Sequence, residues 1–218
     1  MEKSLKESPS KAELYERIVR TASEAFAQEG IRAVKMDDIA ARLSISKRTL
    51  YETFEDKESL LFECMKRHLQ QMRAFMDEVC LRTDNVLEVI LEFYLCHLED
   101  LRRVNYVFVE DLKKYPRVME YLRQKRQDNQ KETILFFERG VEQGLFRPDL
   151  DMALVIQLMQ LLNEQVTRND LGRVYPMEQL FRSVVLIFIR GISTDKGLRL
   201  LEELIERHDK KKHEQTNL

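Results

Sequence analysis

The sequence predicts an all-helical protein, and three observations carry that expectation. Turn residues are scarce, with Gly 6 and Pro 4 in 218 residues, less than half the ~12% share of an ordinary chain. Apolar residues recur at three- and four-residue steps through most of the length, and no period-two alternation lasts long enough to mark a strand. Charged residues reach 34% against a usual ~25%, as amphipathic helices with solvated outer faces require. Hydrophobic residues at 44% suffice for a sizeable core and exclude wholesale disorder, collagen-like sequence and a disulfide-stapled miniprotein. The formal charge of -2 decides nothing.

Residues 1–10 are dominated by Ser, Lys and Glu, with Pro9 and a single large apolar residue, Leu5, after the initial Met, and are expected to form a flexible arm. From Lys11, the spacing of Leu14, Ile18, Ala22, Ala25 and Phe26 makes one helical face, which Gly30 terminates. Ile39, Ala40 and Leu43 mark a second, short helix. Ser46 is placed to cap a third, with Leu50 as its inward residue. Asp56 caps a long amphipathic helix whose apolar face runs from Leu60 through Cys64, His68, Met72 and Met76 to Val79. Further helices are predicted over 84–103, 105–114, 117–143, 150–168, 177–191 and 195–212. Asn105, Pro116, Gly144 with Pro148, Gly172 with Pro176, and Gly191 punctuate them. The charged end from Lys210 onward reads as a solvated helix end or a flexible tail, 213–218.

Several function classes fall away. The longest apolar run, Val184 to Ile189, is far short of the ~20 residues that span a bilayer, and the polar N-terminus carries no apolar signal segment, so a cytoplasmic location is expected. Cys64, Cys80 and Cys96 form no CxxC pair and read as reduced, mostly buried thiols within amphipathic helices. Cys64 and His68 lie four apart on one face but have no matching pair elsewhere, so no metal and no cofactor is expected. There is no Glu-x-x-His pair, no Gly-rich phosphate loop and no G-x-S-x-G elbow, and no catalytic residue is assigned.

The chemistry concentrates in residues 36–54, MDDIAARLSISKRTLYETF. Ile39 and Leu43 face the first helix, Ala40 permits a close helix crossing, Ile45 plugs the turn and Leu50 anchors the next helix from beneath. With these turned inward, Ser46, Lys47, Arg48, Thr49 and Tyr51 are left outward, the set a DNA major groove would meet. Lys47 and Arg48 donate to phosphates or to guanine O6 and N7, and Arg48 is the choice for base readout. Ser46 and Thr49 suit phosphates or base edges, Thr49 offering its methyl to thymine as well. Tyr51 suits a phosphate, and Lys57 adds charge at the start of the following helix. Between Gly30 and Leu60 the cations Arg32, Lys35, Arg42, Lys47, Arg48 and Lys57 are matched by as many Asp and Glu residues. No broad basic stripe exists, so binding would rest on a few placed cations and a shallow salt slope.

On these residues the chain resembles the TetR-type transcriptional regulators from about Arg17 to Leu61. AFAQEG (25–30), DDIAARLSISKRTLYETF (37–54) and DKESLL (56–61) stand in register, with Tyr51, Phe54 and Lys57 at the family's Tyr-x-x-Phe-x-x-Lys positions. A Gly-Leu-Phe-Arg-Pro-Asp turn at 144–149 also agrees. Two positions depart from the pattern: Ser44 stands where a turn Gly is common, and Lys35 where Ser or Thr commonly caps the second helix. Lys35 cannot cap, yet it reaches a phosphate itself, and Asp37 and Asp38 suit the positive end of the helix dipole. The resemblance implies an N-terminal helix-turn-helix DNA-binding domain, 11–55, followed by a larger helical regulatory and dimerisation domain, 56–212.

The helices at 150–168 and 177–191 are apolar around most of their circumference and need neighbours on two sides. A monomer core would satisfy them; so would a two-fold mate, the arrangement the resemblance implies. Leu154, Leu158, Leu161, Phe181, Val184, Val185 and Phe188 are the interface residues on that reading. For the middle helices the resemblance implies an effector pocket. Met72, Phe75, Met76, Phe93, Tyr94, His97 and Tyr106 are suitable walls for one, although the same stripes serve equally as plain core. The resulting expectation is a homodimeric repressor on double-stranded DNA. A small-molecule effector would release it from a palindromic operator through the long helix after residue 56. The rival is a helical protein-interaction module without specific DNA binding.

Overall fold

The computed structural model describes residues 10–216, and among them it contains eleven α-helices and no strand. They are α1 (Lys11–Glu29), α2 (Met36–Leu43), α3 (Lys47–Thr53), α4 (Lys57–Arg82), α5 (Val86–Arg103) and α6 (Tyr106–Leu112). Then follow α7 (Pro116–Asp128), α8 (Gln130–Glu142), α9 (Met152–Arg168), α10 (Met177–Ile192) and α11 (Asp195–Thr216), with a single 3-10 turn at Leu171–Arg173 between α9 and α10. No described helix is long and apolar enough to cross a membrane.

Local chemistry accounts for the helix starts. Ser10 opens α1 with a reciprocal capping box: Glu13 N donates to its hydroxyl at 3.2 Å and Ser10 N donates to the Glu13 carboxylate at 2.8 Å. Asn85 accepts from Leu87 N and Glu88 N at the head of α5, and Asp151 accepts from Leu154 N at the head of α9. The remainder of the expected N-terminal arm, residues 1–9, lies outside the described residues, as do the last two residues of the expected tail.

Two expected boundaries are corrected. The single helix expected over 117–143 is two, α7 and α8, parted at Asn129. Around that break the chain is polar on every side, from Arg123 to Lys131, so no apolar face holds it in register. At the other end α11 continues to Thr216, past the expected stop at 212. Its last residues include Lys, Glu and Gln, which are good helix formers, and no Gly or Pro follows Gly197.

The described chain divides into two compact units. One comprises the chain up to Gln71 together with Val107–Tyr121; the other comprises Met72–Tyr106 and the chain from Leu122 onward. In the first unit Ile18, Phe26, Ile39, Leu50 and Leu60 are fully buried, joined by Val118 from α7. The second unit centres on Val86, Leu87, Phe146, Met152, Ile189 and Leu201. Its 144–149 turn is pinned to the α10–α11 junction, with Arg147 N donating to Ile192 O at 2.8 Å and Thr194 N to Leu145 O at 3.0 Å. Gly140 is required there: a Cβ would lie 2.3 Å from the Phe146 ring.

Candidate nucleic-acid interface

The helix-turn-helix frame is as its apolar spacing predicts. Ile39, Ala40, Leu43 and Leu50 are buried, and Ile45 is half-buried in the turn. Ser44 takes the left-handed conformation (φ 55, ψ 39) that the common glycine would adopt freely. The turn nevertheless closes fully, with Ser44 N donating to Ala41 O at 3.1 Å and Ile45 N to Ala40 O at 3.0 Å. At the start of α2, Lys35 makes no side-chain cap, but its N–H donates to Asp38 Oδ2 at 2.8 Å. Asp38 thus supplies the reverse half of a capping box, satisfying the Lys35 N–H.

On α3, Ser46 caps through Thr49 N at 3.0 Å, and the two hydroxyls are 2.7 Å apart and hydrogen-bonded to each other. Ser46, Lys47, Arg48 and Tyr51 are exposed around the fully buried Leu50, and Thr49 is half-buried. Ser46 and the α3 residues Lys47, Arg48 and Tyr51 are thus left exposed beside the half-buried Thr49, with the exposed Lys35 at the head of α2 in the same unit.

Their cations, however, are already paired. Lys47 Nζ lies 2.5 Å from Asp37 Oδ2, and that carboxylate raises the lysine's pKa. Arg48 Nε lies 2.7 Å from Glu52 Oε1, four residues on along α3. Arg42 pairs with Glu29 across α2 and α1. Of the matched charges counted in the sequence, Lys47 with Asp37 and Arg48 with Glu52 are therefore neighbours in space. Exposed pairs of this kind contribute little to stability, so phosphate can displace them.

Lys57 departs most from its expected part. Its ammonium donates to Ile31 O and Val34 O, each at 2.9 Å, and so braces the loop before α2. Burial lowers its pKa. Two of its three donors are spent on the protein itself, and it acts as a brace for the reading surface. The helix start in the sequence shows the cation but not the direction in which its stem folds.

Behind this surface α1 and α4 are tied by polar groups. Tyr15 donates to Glu63 Oε2 at 2.7 Å and packs on Phe54 with centroids 5.1 Å apart. Burial and the neighbouring carboxylate push its pKa up to about 12. Of the three cysteines expected to be mostly buried, only Cys64 is, Cys80 being exposed and Cys96 half-buried; Cys64 donates to Val19 O, and burial pushes its pKa up to about 12, which leaves an unreactive thiol.

In the second unit the expected pocket residues pack on their neighbours. Phe93 stacks on His97 at 5.4 Å, and Phe181 lies 4.7 Å from His97 and 5.8 Å from Tyr94. Tyr106 donates to Asp170 at 2.7 Å. Met72, Phe75 and Met76 are half-buried on α4. Two surface clefts, of about 400 Å³ beside Glu138 and Pro148 and about 200 Å³ beside Arg123 and Gln160, include none of these residues.

The expected interface residues separate into two groups. Leu154, Leu158 and Leu161 of α9 are exposed, at 52%, 50% and 48%. Val184 is buried, Val185 and Phe188 are half-buried, and Phe181 turns onto the α5 aromatics instead of outward. The outward residue of α10 is Ile187, at 67% exposure, which the sequence reading did not select. A helix apolar all round gives no periodicity from which to choose its outer face.

Comparison with known proteins agrees with this geometry. Residues 18–64 match the bacterial regulatory proteins of the tetR family. The chain is 28% identical over 149 residues to the HTH-type transcriptional repressor KstR2 of Mycobacterium tuberculosis, covering 66% of this chain and 74% of that one. The solved structure of that ketosteroid transcriptional regulator superposes with a TM-score of 0.56 at 23% identity, over 84% of this chain and 96% of that one. A transcriptional regulator from Saccharomonospora viridis in complex with choline gives a TM-score of 0.68 at 20% identity, over 84% and 100%.

Proposed function

We propose that the chain is a member of the tetR family of bacterial regulatory proteins, whose model its residues 18–64 match, and that it is a DNA-binding regulator acting as a homodimeric repressor of a palindromic operator. The observation that carries the reading is the outward face of α3, where Lys47, Arg48 and Tyr51 stand exposed over the buried Leu50. In this reading α3 enters the major groove. Arg48 exchanges Glu52 for guanine O6 and N7, Lys47 exchanges Asp37 for a phosphate, and Ser46, Thr49 and Tyr51 supply short donors. Lys35 adds a phosphate contact at the head of α2. Lys57 contributes indirectly, by holding the loop that launches α2.

A second copy pairs through α9 and α10. Leu154, Leu158 and Leu161 recur at i, i+4 and i+7 and remain exposed in one chain, as does Ile187. An apolar stripe of this length is a normal surface for a two-fold mate and an unusual one for open solvent. Pairing doubles the few cations available and fixes the spacing of two half-sites. The effector is a small apolar molecule held by the α4 and α5 residues Met72, Phe75, Met76, Phe93, Tyr94 and His97, with Tyr106 beside them. The ketosteroid regulator among the relatives supports an effector of that chemistry. Its binding favours one arrangement of α4 and alters the half-site spacing.

Replacing both cations, Lys47→Ala with Arg48→Ala, tests the assignment of α3. Affinity for the operator is expected to fall about 100-fold or more, given the discrimination carried by each good base contact, while the helical circular dichroism spectrum stays unchanged. Unaltered operator affinity would remove α3 from the interface.

A further inference from the structure

We infer that Asp111, on α6, is a positioning residue of the DNA-reading unit, holding the loop that launches α2. The inference rests on the DNA-binding reading above and adds to it a residue 79 positions downstream of the loop it holds.

Asp111 is 4% exposed. A carboxylate so far out of water is costly unless its charge is answered. Its Oδ2 accepts from Arg32 N at 2.8 Å, and Lys114 Nζ lies 3.2 Å from Oδ1. The half-buried Lys57 ammonium feels its charge as well, and that ammonium holds Ile31 O and Val34 O. The loop between α1 and α2 is thus gripped by two charges of opposite sign, Asp111 buried and Lys57 half-buried. One takes a backbone N–H and the other takes two carbonyls.

The approach of α6 to this loop depends on Gly30. Its φ is +90, and a Cβ there would lie 2.8 Å from Val107 Cγ1 and 3.4 Å from Asp111 Oδ2. The start of α7 is anchored in the same unit: Arg117 N donates to Glu58 at 3.3 Å and its guanidinium lies 4.7 Å over the Phe62 ring. This accounts for the grouping of Val107–Tyr121 with the N-terminal helices. The loop ends at Lys35, and α2 leads directly through its turn into α3. A residue that fixes residues 31–34 therefore fixes where both helices of the reading surface begin.

The test uses the full chain, an inverted-repeat duplex that it selects and a scrambled duplex. Asp111→Asn keeps an acceptor for Arg32 N and removes the charge facing Lys57; Asp111→Ala removes both. Specific affinity is expected to drop about tenfold or more in Asp111→Ala, as loss of a charged hydrogen bond implies, and less in Asp111→Asn. Scrambled-duplex affinity stays constant because every DNA-facing cation remains. Amide exchange at Arg32 in the free protein accelerates in Asp111→Ala. Wild-type specific affinity in both variants, or a parallel loss on both duplexes, overturns the inference, as does unchanged Arg32 exchange. Accelerated Arg32 exchange in a protein that selects no repeat overturns the DNA reading and leaves the clamp standing.

Discussion

The two units of the chain use apolar residues in opposite ways. Around α1–α3 the large apolar side chains are turned inward, and the outer surface is left to hydroxyls, cations and Tyr51. In the second unit Leu154, Leu158, Leu161 and Ile187 are turned outward beside a core that is complete without them. A polar surface over a rigid frame suits a ligand read by hydrogen bonds. An exposed leucine stripe suits a surface that is finished by another protein surface. On the proposed function, the first unit reads DNA and the second pairs with its mate.

Placing a charge in the leucine stripe breaks this contrast most severely. Leu158→Glu is expected to give monomers by analytical ultracentrifugation and to lower operator affinity by about 10²–10⁴-fold, the avidity a linked second half-site supplies. A dimer with full affinity would move the pairing surface elsewhere. In the reading unit the changes are smaller. Ser44→Gly relieves the left-handed strain at φ 55 and is expected to stabilise the protein by up to about 1 kcal/mol, because a side chain in that region costs more than glycine's added chain entropy. Denaturant unfolding measures this. A destabilised variant would show that the Ser44 side chain contributes more than its backbone costs.

The smallest effect sharpens the account of the paired cations. Glu52→Gln frees Arg48 and is expected to raise affinity for DNA of any sequence by less than about tenfold, with a steeper salt dependence. Reduced affinity on scrambled duplexes would mean that Glu52 assists Arg48 and does not compete for it.

The reading unit was the more legible region, for a physical reason. Short helices with one apolar stripe each leave little choice of face, so Ile39, Leu43 and Leu50 identify the inside and Lys47, Arg48 and Tyr51 follow as the outside. Lys57 and Asp111 escaped that logic. Each appears in sequence as a charge on an amphipathic helix, and their partners, Ile31, Val34 and Arg32, are backbone groups that any residue supplies. Ile187 escaped because α10 is apolar all round, and the α7–α8 break because the chain there is polar all round. Periodicity informs only where one face differs from the other.

The central claim is that α3 of a paired chain reads DNA sequence. Its most direct test is selection of bound duplexes from a random library by the purified full-length protein at two salt concentrations. The account predicts enrichment of an inverted repeat whose binding persists at the higher salt. Retention of unrelated sequences at low salt, with loss of all binding at high salt, would contradict it and leave a helical protein whose partner is another protein.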